Sequence, residues 1–161
     1  MAVGADGESG GLDPTDLVAR KVVSPLHWNP VVQRLKPEAF PSRDFTDLRR
    51  GGFSVDLVTG RSDSQICDAV KKYAAEKTAA KGSLHTPEFA LRASVEAIEA
   101  FPDRTAVDGR AFTVRRRPIE GNPDHCAILI VPEGLSESDI KELRDDLRQL
   151  FEQDMILCPA A

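Results

Sequence analysis

Gly121-Asn122-Pro123-Asp124-His125-Cys126-Ala127-Ile128-Leu129-Ile130-Val131 joins a turn to the most apolar run in the chain. Gly, Asn and Pro mark a tight turn at 121–124. The unbroken apolarity that follows predicts a central strand covered on both faces. A histidine at the mouth of such a strand either caps it or presents an imidazole to a site.

Working outward, Asp108-Gly109 is a two-residue hairpin signal between 105–107 and 110–119. In that strand Phe112 and Val114 face the core, and Thr113 and Arg115 face solvent. Over 86–101 two patterns compete: a strand at 88–93 followed by a short helix capped by Ser94, which we favour, and a single helix. Phe53, Val55 and Leu57 alternate with Ser54, Asp56 and Val58, which predicts a half-buried strand entered through Gly51-Gly52. Residues 62–82 predict a helix. Ser62 and Gln65 fit a capping box, Ile66, Val70, Tyr73 and Ala74 share one face, and Gly82 is a stop. A second helix is expected over 137–153, with Leu135 and Ile140 as a staple and Ile140, Leu143, Leu147, Leu150 and Phe151 as its apolar stripe. Near the front, 21–28 is extended but contains Pro25, which argues against a regular central strand. Pro30, Pro37 and Pro41 follow in an irregular stretch that Phe40 and Phe45 anchor.

These pieces predict an α+β fold: an antiparallel or mixed sheet of about four or five strands, two main helices and a disordered N-terminal tail. The tail covers 1–18, and 19–158 form a single domain, a size at which about two thirds of the unfolded surface becomes buried. No internal repeat is apparent.

The chain has 161 residues and a net charge of −5, which argues against a general nucleic-acid coat protein. It has no apolar run of about 18 residues, so no membrane span is expected. The first eleven residues do not resemble a secretory signal. Cys67, Cys126 and Cys158 form no CxxC pair and read as buried free thiols, which fits a cytoplasmic location.

In order along the chain, Pro25-Leu26-His27, Glu38-Ala39-Phe40, Phe53-Ser54-Val55-Asp56, the segment 89–98 and Asn122-Pro123-Asp124-His125 resemble a group of small bacterial proteins with no established activity. The resemblance spans 20–131 and implies architecture rather than mechanism. The helices at 62–82 and 136–153 lie outside its pattern.

His27, His125, Ser54 and Asp56 are the candidate catalytic residues. Two imidazoles can serve as base and acid in phosphodiester cleavage, and Ser54 can orient a substrate or act as nucleophile if a histidine reaches it. A working pair requires both rings in one pocket, with Ser54 or Asp56 at its wall and an Arg of 115–117 at its rim. The bland alternative is a pair of hydrogen-bonded histidines fixing local turns. His85 sits in a loop and is a weaker candidate. Arg115, Arg117 and Asn122 are the candidate binding residues, because guanidinium forks suit phosphate and carboxylate. A metal could draw on His27, His125 and Asp56, but their spacing supports no metal site, and no cofactor motif is present. The expectation is therefore a small accessory or binding protein with a larger protein as partner. The alternative is a small His-dependent enzyme acting on a phosphodiester or nucleotide, with the Arg cluster as the contact to nucleotide or nucleic acid.

Overall fold

A computed structural model describes residues 12–45, 52–103, 106 and 108–159. The chain runs β1 (Leu17–Ser24), β2 (Trp28–Asn29), β3 (Arg34–Leu35), β4 (Phe53–Leu57), α1 (Asp63–Lys81), β5 (Thr86–Ser94), α2 (Val95–Glu99), β6 (Phe112–Arg116), β7 (His125–Ile130), α3 (Glu137–Glu152) and β8 (Met155–Leu157). Six strands form one antiparallel sheet in the order β6-β7-β4-β1-β5-β8, and β2 and β3 form a separate small hairpin. The α+β expectation stands in this form. The expected four or five strands fall short, because β8 is only three residues long and the hairpin lies within the proline-punctuated stretch.

The decisive run behaves as expected. β7 is paired on both sides, with β4 and β6, and Cys126 to Leu129 are buried. Asn122 shapes the turn before it: its side-chain oxygen accepts the Asp124 N–H at 3.2 Å, and its carbonyl accepts the His125 N–H at 3.3 Å. Gly52, at φ +81°, leads into β4; a Cβ there would lie 2.8 Å from a Leu129 methyl. The left-handed backbone conformation favours glycine here.

β1 corrects the reading of Pro25. The strand starts at Leu17, within the segment expected as tail, and is central, paired with β4 and β5. Pro25 does not interrupt it because the last rung is Ser24. Residues 1–11 lie outside the described residues, and Leu12 already packs on the core. The hairpin at Asp108-Gly109 falls partly on residues 104, 105 and 107, outside the described residues. Pro102 bridges Arg110 and the Asp103 N–H donates to the Gly109 carbonyl, so the chain reverses here, but the pair that forms is not the one flanking Asp108-Gly109 and the expected two-residue turn is not the connection. The strand that follows pairs with β7 and is shorter than expected.

Helix signals were the most legible. Both halves of the Ser62–Gln65 capping box form, and Gly82 closes α1 at φ +72°. Ser94 caps α2 and Ser136 caps α3. One sheet face carries Val18, Val22, Phe53, Leu91 and Ile128, covered by Leu147 and Phe151 of α3 and by Phe40 and Phe45. The opposite face carries Ala19, Val23 and Ala90 under Ile66, Val70 and Ala74 of α1. Leu147 is fully buried. Leu147→Ala is expected to lower unfolding stability by about 2–5 kcal/mol, from lost transfer energy and the cavity left behind. A urea transition that coincides with the parent's would show that α3 does not close this layer.

The cysteines depart from expectation. Cys67 of α1 and Cys158, just after β8, form a disulfide, and only Cys126 is a buried free thiol among the described residues. A sequence separation of 91 concealed this pairing. The inference of a reducing compartment from unpaired thiols is thereby removed. No helix among the described residues is long and apolar enough to cross a membrane.

Candidate functional site

α1 lies over β1, β5 and β8. Where it stops short of β4, a cleft of about 520 Å³ opens between the helix and the turn at 119–122. Strand register determines its contents. Asp56 lies opposite His125 and Ser54 opposite Ala127, so Ser54, Asp56 and His125 project from one face. The His125 Nε2 stands 3.0 Å from the Ser54 Oγ, and its Nδ1 stands 2.7 Å from the Arg117 carbonyl. A carbonyl only accepts, so Nδ1 carries the proton and Nε2 is left as the acceptor for the Ser54 hydroxyl. Hydroxyl, imidazole and a third group that fixes the tautomer make up the geometry of an activated nucleophile, here with a main-chain carbonyl in the orienting place.

Asp56 is held beside them. Lys21 approaches it at 2.9 Å, and Asn122 donates its side-chain N–H to it at 2.8 Å. Arg20 supports the floor. The β1–β4 ladder registers only two pairs, Val18–Leu57 and Ala19–Asp56. Beyond them the Arg20 guanidinium takes over, with Nη1 donating to the Ser54 carbonyl at 3.0 Å and Nε to the Ala39 carbonyl at 2.9 Å. Its carbon stands 4.5 Å from the Phe53 ring centroid. Burial pulls this guanidinium below its usual pKa, and Tyr73, Asp44 and Asp56 pull it back up. An arginine remains cationic in either case.

His27 is placed elsewhere. It is 3% exposed, its Nδ1 accepts the Val23 N–H at 3.2 Å, and its ring stacks on Tyr73 with centroids 6.1 Å apart. Burial, followed by the charges of Arg20, Lys77, His85 and Lys36, pulls its pKa down to about 3. It does not line the cleft and meets it only through the Tyr73 ring. The structure therefore brings together Ser54, Asp56, Asn122 and His125 but leaves His27 as the residue that closes the turn after β1. Arg117 contributes its carbonyl. Arg115 is exposed and lines no part of the cleft, and Arg116 donates to the Pro123 carbonyl. His85 is buried, with Nδ1 against the Ser83 carbonyl at 2.8 Å. Among the described residues no group of three His, Cys, Asp or Glu side chains is placed to hold a metal.

Sequence reasoning missed Arg20, Lys21 and Tyr73. Tyr73 was assigned to the apolar face of its helix, and nothing in the pattern marked the two basic residues of β1 as facing a cavity. The charges of the cleft are uneven. Asp44, Asp56, Glu76 and Glu120 face Arg20 and Lys21. A smaller hollow of about 160 Å³ continues the cleft beside Lys72 and Arg61. Arg61 is already paired with Asp124. No protein-family model matches the chain, and no curated protein or solved structure matches it significantly.

Proposed function

We propose that this chain is a binding protein, an accessory to a larger protein, whose cleft receives a cationic group such as a lysine or arginine side chain of that partner. The observation that carries this reading is the excess of carboxylates over cations around Ser54, Asp56 and Asn122. An ammonium or guanidinium entering there gains from the local field and from acceptors at hydrogen-bond range. A phosphodiester or nucleotide would meet the opposite field, and the two-histidine chemistry it requires has lost His27. The test is an NMR titration of the isotope-labelled chain with N-acetyl-arginine amide and, separately, with AMP. The arginine amide should shift the amides of Ser54, Asp56 and Asn122 saturably. Shifts at these positions with AMP and none with the amide would overturn the reading.

A second reading rests on the Ser54–His125 contact alone: a small His-dependent enzyme for acyl transfer. The Ser54 oxygen would bond to an ester carbonyl carbon, its proton passing to the His125 Nε2 and on to the departing alcohol. Water would then release the acyl group by the reverse proton route. A fluorophosphonate reports this state directly, because an activated serine displaces its fluoride. Labelling of Ser54 that is lost in His125→Gln supports the enzyme; an unlabelled parent chain leaves binding alone.

A further inference from the structure

On the other side of the sheet, the β2–β3 hairpin and α3 enclose a second cavity, of about 450 Å³. Its floor is apolar: Trp28, Leu35, Phe40 and Met155. Its walls carry Arg34, Lys36, Arg144 and Arg148 against two carboxylates, Asp145 and Glu152. Both carboxylates are engaged by arginines of their own helix. Arg144 Nε meets Asp145 at 2.8 Å, and Arg148 Nη1 meets Glu152 at 2.8 Å. Two cations therefore remain uncompensated. Lys36 gives its ammonium to a neutral acceptor, the Pro25 carbonyl, at 2.8 Å. The Arg34 side chain engages no acceptor among the described residues. In a chain of net charge −5 this is a local reversal of sign next to an aromatic floor.

The hairpin extends the site outward. Val31 and Val32, which directly precede cavity residues Gln33 and Arg34, are 89% and 58% exposed. They are held in place. The Asn29 side-chain oxygen accepts the N–H groups of Val31 and Val32 at 2.9 and 3.3 Å, and the Gln33 N–H donates to the Asn29 carbonyl at 2.8 Å. A backbone already fixed by a closed turn lowers the cost of ordering these two apolar side chains on binding. A small organic acid would fill the cavity and leave both valines bare. An extended peptide would cover them while its carboxylates met Arg34 and Lys36.

We infer that the cavity between the β2–β3 hairpin and α3 docks an acidic segment of a partner protein, with an apolar side chain seated on Trp28 and Phe40. This site is separate from the cleft and does not depend on the reading of it.

Trp28 is the only tryptophan, so all tryptophan emission comes from the floor of this cavity. The probe is a capped hexapeptide of glutamates and aspartates around one leucine. It should change the Trp28 emission saturably. Arg34→Glu and Lys36→Glu should each weaken binding on the order of tenfold or more, since each replaces an attraction with a repulsion. Val31→Asp should also weaken it. All three positions are away from the buried core, and far-UV circular dichroism verifies that the variants keep the fold. An unchanged emission spectrum, or equal affinity in Arg34→Glu, overturns the inference. Inorganic phosphate or benzoate that saturates the same change, with Val31→Asp indifferent, assigns the cavity to small anions and overturns it as well.

Discussion

Below pH 6.5 the protein is expected to lose up to about 1.4 kcal/mol of stability per pH unit through His27 alone. The folded pKa is pulled down to about 3 from an ordinary 6.5. Between these values the unfolded chain binds a proton that the folded chain refuses, so acid favours unfolding. The contribution is complete above the unfolded value and lost as pH falls toward the folded one. Across the whole window it amounts to roughly 4–5 kcal/mol at most, a large share of a typical domain stability. Urea unfolding at pH 7, 6, 5 and 4 measures it, with His27→Gln as the reference because carboxylates add their own dependence at the lower end. The variant should be less stable at pH 7 yet show a shallower fall with acid. Parallel curves for the two proteins would mean that His27 is not held neutral by burial.

Removing the Cys67–Cys158 bond is expected to cost about 2–5 kcal/mol, because it closes a loop of 91 residues and releases β8 from α1. Cys158→Ser and reduction by dithiothreitol should lower the thermal midpoint to similar extents. Thiol counting provides the control. Cys126 is buried and its pKa is pushed up to about 11, so it should ignore a thiol reagent until the chain unfolds. One thiol on unfolding without reductant, and three with it, is the expected count. Three without reductant would remove the disulfide from the account.

The elements that could be read from sequence were those whose signal is local. The Ser62–Gln65 box, the Ser94 and Ser136 caps and the Asn122-Pro123 turn each lie within a few residues of the structure they determine. The missed elements depend on partners far along the chain. β8 is three residues paired with β5, and Ile156 is buried there among Ala90 and the apolar residues of α1. β2 and β3 depend on the Asn29 turn, in which neighbouring prolines pointed to irregular structure. The site shows the same division. Ser54, Asp56, His125 and Asn122 were legible because each stands on or beside a recognisable strand or turn. His27 was grouped with them because it too is a histidine near a proline. Only the stacking on Tyr73, a contact far along the chain, assigns it to the core, while the Val23 N–H holds it within its own turn. Arg20 gave no signal at all, since its role exists only where a ladder fails.

That failed ladder has a mechanical consequence. β1 and β5 register eight pairs, β6 and β7 five and β4 and β7 four, whereas β1 and β4 register two. The sheet is thus two three-stranded ribbons joined along one short ladder, which the Arg20 guanidinium, the Lys21–Asp56 ion pair and the Val58 N–H to Leu17 carbonyl bond also cross. Ser54, Asp56 and His125 belong to one ribbon, Lys21 to the other. Any change in the angle between the ribbons widens or narrows the space between these groups without bending either ribbon. The shortest ladder of the sheet and the candidate cleft are one and the same place.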